Sequence, residues 1–252
     1  MSSVRYLVVA AGAALVVLSV LLFPFSGEND REVRVAVASN FAGTLEELGP
    51  LFTEKTGYTV AISVGSTGQF YSLIRHGRPF DVFLAADALR PKALEEMSMT
   101  VPGTRQTYAI GKLVLWSRSV ELADSGEPDW QALAGTRVAV ANPKTAPYGK
   151  AAEQTLQSLV IAKQFVPQLV IGQSIGQVFQ FVATGNADGG FIAASQSQNA
   201  DGPLWAVPAA LHEPIIQQMV LLTDTPEGHA FIEFMNSDAA RAVITANGYD
   251  TP

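Results

Sequence analysis

The chain has 252 residues, 48% of them apolar and 15% charged, with a formal net charge of −7 and no cysteine. Such a length makes one large domain or two lobes of ordinary size, and either can bury a core without a metal or disulfide staple. The acidic balance, with Lys and Arg scattered singly, excludes nucleic acid as a partner, and the missing thiols exclude disulfides, thiolate metal sites, cysteine nucleophiles and a lipidated N-terminal cysteine.

Arg5 precedes an apolar run over 6–25, which the polar stretch 26–30 closes. A charged start, an apolar middle and a polar boundary form the pattern of a secretory signal. Phe23 and Phe25 stand where a cleavage site wants small residues, and the run approaches the roughly 20 residues that span a bilayer. Residues 1–30 are therefore expected to be a removed signal peptide or an uncleaved anchor with Arg5 on the cytoplasmic side. Either places the rest of the chain outside the cytoplasm.

From Arg31 onward, strands and helices alternate. Period-two patterning predicts strands over 33–37 and 58–64, the latter with Val60, Ile62 and Val64 on one side. Leu45, Leu48 and Phe52 mark a first helix, in which Gly49-Pro50 predicts a kink or an early break. Phe70, Leu73 and Ile74 mark a second helix. A strand follows over 80–85, then a helix over 89–97 with Asp87 and Pro91 at its start. One longer apolar strand is predicted over 108–116, and a short helix around Trp130. Further strands are expected over 137–141, 190–194 and 215–222, with another led into by 165–171. Helices are expected over 148–159, 175–183, 226–235 and 238–247. Repeated βα units imply an α/β fold with mostly parallel sheets and helices on both faces. Two such sheets are expected, the chain crossing between them near Ala109 and returning near Ile215. That gives one lobe from 31–108 plus 217–252 and another from 109–216.

Four predicted strand-to-helix junctions share one chemistry: Ser39-Asn40, Gly65-Ser66-Thr67-Gly68, Ala146-Pro147-Tyr148-Gly149 and Gln173-Ser174-Ile175-Gly176. At each, helix N–H groups without intrahelical partners and the positive end of the dipole point at one place. Such junctions hold anions, and in open α/β sheets ligands gather at the carboxyl ends of strands. A single Ser, Thr or Asn there is most simply an N-cap. Four together, without Asp, Glu, Lys or Arg among them, form a set of donors. A fully ionised tetrahedral dianion needs only donors, whereas a phosphate near neutral pH tolerates an acid that accepts its proton.

Val35-Ala36-Val37-Ala38-Ser39-Asn40-Phe41, Gly65-Ser66-Thr67-Gly68, Phe80-Asp81-Val82-Phe83-Leu84-Ala85-Ala86-Asp87 and Tyr108-Ala109-Ile110-Gly111-Lys112-Leu113-Val114-Leu115-Trp116 resemble the periplasmic molybdate-binding proteins. So do Asn142-Pro143, Ala146-Pro147-Tyr148-Gly149 and Glu213-Pro214-Ile215, in order to the C-terminus. The resemblance implies a two-lobed periplasmic-binding-protein fold, each lobe a mixed, mostly parallel sheet flanked by helices and joined by crossing strands. It implies a monomer, without cofactor, that captures molybdate or tungstate and delivers it to an ABC transporter permease. It carries ligand roles to Ser39 and Asn40, to Thr67 beside Ser66, and to the backbone N–H groups of Tyr148 and Ile175. Some members complete the site with a tyrosine hydroxyl where this chain has Ala193, which leaves that role to the Asn40 amide. The expected mechanism is a hinge, open without ligand and closed on it. Sulfate or thiosulfate is the alternative ligand.

Two other readings compete. Gly172-Gln173-Ser174-Ile175-Gly176 fits the G-x-S-x-G of a serine hydrolase, and Asp188 or Asp201 and then His212 or His229 follow in the hydrolase order. No HGGG-like oxyanion loop lies upstream, and the other three junctions go unexplained by it. A membrane-anchored sensor that kept the fold without transport is the other. His76, His212 and His229 lack the i, i+4 spacing of a zinc site, and no free metal ion is expected. Asp81 and Asp87 resemble a carboxylate pair for acid–base work, though Asp87 is better placed to cap a helix. Trp116, Trp130 and Trp205 are expected in the core. Lys112 and Lys150 lie near the cleft loops, where their charge can steer an anion.

Overall fold

The computed structural model describes residues 31–118, 128–159 and 168–252, and Val33–Pro252 forms one compact unit. The apolar run over 6–25 and the lead-in from Phe165 lie outside the described residues. Among the described residues, no helix is long and apolar enough to cross a membrane.

In the first sheet, alternation divides each strand between two cores. β1 (Glu32–Ala38) turns Val33, Val35 and Val37 to one side and Ala36 to the other. β3 (Val82–Ala85) does the same, with Val82 and Leu84 set against Phe83 and Ala85. α1 (Ala42–Thr56) covers the first side, where its Phe52 meets Phe231 and Phe234 at ring-centroid distances of 5.4 and 5.5 Å. Each such fully buried aliphatic or phenyl side chain contributes about 1.5–3 kcal/mol. α2 (Thr67–Arg75) and α3 (Leu89–Glu96) cover the second side through Phe70, Ile74 and Leu94. α1 continues through Gly49-Pro50, so the early break does not occur. Glu46 and Pro50 are both on the exposed face, where the hydrogen bond that a proline cannot donate to residue 46 is replaceable by water. The helix stops at Gly57, whose φ of 76° suits a residue without Cβ. β2 (Thr59–Gly65) is an edge strand; Val60 and Ile62 pack on the core, whereas Val64 is 51% exposed.

The expected strand over 108–116 is two strands in different sheets. β4 (Gln106–Gly111) ends and β5 (Leu113–Ser117) begins across Lys112 alone. Ala109, at the expected crossing, still pairs with Gln217 in the first sheet. Glycine is required at 111, because a Cβ there would collide with the Tyr148 hydroxyl and the Gln217 amide. The second sheet then forms from β5, β6 (Val138–Ala141), β7 (Leu169–Gly172), β8 (Gly189–Ala193) and β9 (Leu204–Ala206). Its helices are α4 (Trp130–Ala134), α5 (Pro147–Ser158) and α6 (Ile175–Ala183). β9 has no counterpart in the sequence pattern, since three residues are too few to show a period. β10 (Ile215–Leu221) returns the chain to the first sheet, and α7 (Pro226–Met235) and α8 (Asp238–Ala246) close it.

The strand orders are β2-β1-β3-β10-β4 and β7-β6-β8-β5-β9. β1 is parallel to β3, and β6 to both β7 and β8. The antiparallel pairs are β10 with β3 and β4, and β5 with β8 and β9. Both sheets are thus mixed, and their antiparallel halves contain the strands that carry the chain from one sheet to the other. Trp116 and Trp205 are buried, and Trp130 packs on Trp205 with centroids 5.3 Å apart.

Candidate anion-binding site

The four strand-to-helix junctions meet in space. Ser39 and Asn40 follow β1, Ser66 and Thr67 follow β2, Tyr148 opens α5 and Ile175 opens α6. All six line one cavity of about 190 Å³, together with Ala38, Gly65, Ala86, Ala146 and Pro147. Three larger surface grooves measure about 880, 910 and 1000 Å³. No charged side chain lines the small cavity.

Local helix-start chemistry explains three of the four junctions, whereas α1, after Ser39-Asn40, has no side-chain cap. Ser66 caps α2 by accepting the Gln69 N–H at 3.4 Å, and Ser174 caps α6 by accepting the Gln177 N–H at 3.3 Å. Pro147 takes the first turn of α5, where its missing N–H costs nothing. Three hydroxyls on the cavity are used as acceptors. Ser39 Oγ accepts the Gly176 N–H at 3.1 Å, Thr67 Oγ1 accepts the Ala86 N–H at 3.0 Å, and Ser66 Oγ holds its cap. A hydroxyl that accepts a bond keeps its own proton to donate. Among the described residues, the N–H groups of Asn40, Thr67, Tyr148 and Ile175 have no protein acceptor. The arrangement is therefore a ring of donors. Four helix N-termini face it, each worth roughly half a positive charge, and together they match a dianion without a salt bridge.

The two sheets are closed on each other at this point. The Gly68 N–H donates to Thr145 O at 2.8 Å, and Arg90 donates to Lys144 O at 2.7 Å. Ala38 and Ala86, at the ends of first-sheet strands, pack into the core of the second sheet. Gly68 permits this approach, since a Cβ there would lie 2.8 Å from Thr145 Cα and 2.9 Å from Thr145 O.

Behind the cavity lies a buried polar cluster that the sequence pattern did not reveal. Asn40 Nδ2 donates to Gln217 Oε1 at 2.8 Å and to the Tyr249 hydroxyl at 3.1 Å. The expectation that the Asn40 amide replaces the tyrosine hydroxyl missing at Ala193 therefore fails. That amide is already engaged behind the cavity, and Asn40 presents its backbone N–H instead. Tyr108 donates to Gln217 Oε1 at 3.1 Å, and Gln217 Nε2 donates to the Tyr148 hydroxyl at 3.3 Å. Tyr249 and Ser195 donate to Asn40 O at 2.7 and 2.8 Å. Burial pushes Tyr108 and Tyr148 well above the usual phenol range and Tyr249 up to about 12, so all three stay neutral hydrogen-bonding groups. No local pattern marks the cluster, because its residues are dispersed from 40 to 249.

The other candidates are structural. Ser174 is a cap, His229 pairs with Asp224 at 2.7 Å, and Asp188 binds Arg137, which holds its carboxyl below the usual range. No histidine bonds Ser174 among the described residues, so no nucleophile and base are assembled there. Among the described residues no group of carboxylates and histidines could hold a metal ion. Asp87 caps α3 through the Arg90 N–H at 3.0 Å, and buried Asp81 binds Arg34 at 2.8 Å. Lys112 and Lys150, whose charge could steer an anion but whose default reading is a solvated lysine, are exposed and paired with Asp250 and Glu213 at 2.7 and 2.8 Å.

Residues 33–250 match the family of bacterial extracellular solute-binding proteins. The chain is 44% identical to the molybdate-binding protein ModA of Azotobacter vinelandii, over 98% of both chains. It is 46% identical to that of Rhodobacter capsulatus, over 87% of this chain and 88% of that one. The solved periplasmic molybdate-binding protein of Azotobacter vinelandii superposes with a TM-score of 0.81 at 40% identity, covering 87% of this chain and 99% of its own. These relatives are binding proteins rather than enzymes, which sets the hydrolase reading aside, and the chain belongs to the bacterial extracellular solute-binding proteins, within the family of periplasmic molybdate-binding proteins.

Proposed function

We propose that this protein captures molybdate or tungstate outside the cytoplasm and presents it to the permease of an ABC importer. The observation that carries the reading is the ring of donors: hydroxyl protons of Ser39, Ser66 and Thr67, and N–H groups of Asn40, Thr67, Tyr148 and Ile175, with no acid and no charged side chain in the lining. A permanently deprotonated tetrahedral oxyanion accepts from every such group and asks for no acceptor in return. The named relatives, at 44% and 46% identity, bind molybdate, which supports the choice of anion. Sulfate offers the same hydrogen-bond pattern in a smaller volume, so discrimination against it rests on cavity size.

Two lobes close on the anion, one built on the first sheet and one on the second, with the chain crossing between them at Lys112 and returning before Ile215. Ligand contacts that exist only when the lobes meet favour the closed state by their differential free energy. The protein works as a monomer, and residues 1–30 export it and then leave or tether it beside its importer. Calorimetric titration with molybdate, tungstate, sulfate, phosphate and thiosulfate tests the reading. Tight, selective binding of molybdate or tungstate is expected; tight phosphate binding, or none of any oxyanion, overturns it.

A further inference from the structure

Gln217 is not itself among the residues that line the anion cavity, yet it is fully buried and bonded to residues on three separate elements. It stands on β10, at the register shift between Gln217 and Gln218 where the ladder to β4 is irregular. Such bulges re-aim a side chain out of the regular pleat. Its carbonyl oxygen receives Asn40 at 2.8 Å and Tyr108 at 3.1 Å, and its amide nitrogen reaches Tyr148 at 3.3 Å. Asn40 stands in the loop after β1, and Tyr148 opens the helix after β6. These are two walls of the cavity, from opposite sheets, held by one amide.

We propose that Gln217 is a positioning residue that fixes the separation of the Asn40 and Tyr148 walls and thereby sets which oxyanion the cavity prefers. The inference rests on the oxyanion reading above and adds the residue that tunes it. A primary amide suits this role, since one group both accepts and donates, in a fixed plane, and does not titrate. Asn40 is held from its other side by Tyr249 and Ser195, so its backbone N–H cannot drift while the cluster is intact. Sulfate and molybdate present the same acceptors and differ in bond length. A cavity with rigid walls can separate them by spacing, and one with yielding walls cannot.

The test is Gln217→Met, which keeps the volume and removes the amide. Wild type and variant are titrated with molybdate and with sulfate, and melting is recorded for both. Molybdate affinity is expected to fall about tenfold, the worth of one buried hydrogen bond, while sulfate affinity stays within about threefold. A merely structural role lowers the melting temperature and leaves the ratio of the two affinities unchanged. An unchanged ratio in the folded variant overturns the proposal. If Gln217→Met does not fold, Tyr148→Phe removes only the hydroxyl that Gln217 holds, and the ratio must still fall. Wild type that binds neither anion defeats the functional reading and this inference with it; a selective wild type with an equally selective variant defeats the inference alone.

Discussion

The anion cavity and the polar cluster behind it use the same kinds of residue and differ in how completely those residues are bonded. In the cavity, hydroxyls accept within the protein and keep their protons, and four N–H groups have no protein acceptor among the described residues. In the cluster, Asn40, Gln217, Tyr108, Tyr148, Tyr249 and Ser195 bond one another. Buried donors left open cost about 1–3 kcal/mol each and persist where a ligand answers them. Donors and acceptors closed on one another make a rigid frame instead. Asn40 belongs to both regions, its N–H in one and its side chain in the other.

The largest effect is expected where the cavity can be spoiled without touching the cluster. Gly68→Ala places a methyl against the Thr145 backbone, which cannot yield as a flexible side chain would. Overpacking costs about 1–3 kcal/mol, and contact with backbone puts this case at the upper end, a loss of about 100-fold in molybdate affinity. On the proposed hinge the ligand-free protein is open and free of this clash, so its melting temperature should change little. Equal losses in melting and affinity would instead place Gly68 in the frame.

Ser39→Ala comes next. It removes a hydroxyl that the proposed function assigns to the anion and leaves the Gly176 N–H without its acceptor. Calorimetry should show molybdate binding weakened by about 1–3 kcal/mol. An unaltered affinity would remove Ser39 from the ring.

These two regions were unequally legible in the sequence. Ser39, Asn40, Ser66, Thr67, Tyr148 and Ile175 each stand at a predicted strand-to-helix junction, and the local alternation of strand and helix places them there without tertiary information. Their shared cavity follows once the strands lie side by side. Gln217, Ser195 and Tyr249 carry no such mark. Gln217 occupies an inward strand position where an apolar residue is the ordinary choice, and its partners lie 69 to 177 positions away. Only the crossing of β4 and β10 between the sheets brings them together. The same crossing explains the misread strand over 108–116, because an apolar run does not say which sheet it joins. The early break expected at Pro50 failed for the opposite reason, a strong local signal standing on an exposed helix face that continues through it.

The cluster can be isolated by pH. No titratable side chain lines the cavity except the neutral Tyr148, so molybdate affinity should stay level between about pH 6 and pH 9, outside the ordinary ranges of carboxyl and phenol groups. The cluster responds only to alkali. Tyr249 has a folded value of about 12 against an unfolded value of 10.0. Its contribution is complete below pH 10.0 and disappears as pH rises through about 12, since the unfolded chain ionises first. Tyr108 and Tyr148 shift in the same direction. Urea unfolding from about pH 9 to about pH 12 should therefore show falling stability, less steep in Tyr249→Phe. An identical slope in that variant would separate the hydroxyl from the alkaline loss.

The smallest effect belongs to the charges around the cleft, and its smallness is informative. Lys112 lies at the crossing and Lys150 on the Tyr148 helix, yet each is more than half exposed and paired with a carboxylate. A paired, solvated lysine projects little field, and exposed pairs contribute about 0–1 kcal/mol. Lys150→Ala should change the molybdate association rate by less than about threefold, and raising salt from about 50 to about 500 mM should alter affinity by a similarly small factor, set against the about tenfold changes that steering charges produce. Helix ends and hydroxyls lie within the cavity, where mobile ions do not screen them. A steep salt dependence, measured by stopped flow and calorimetry together, would mean that full charges outside the cavity do part of the binding now assigned to neutral donors within it.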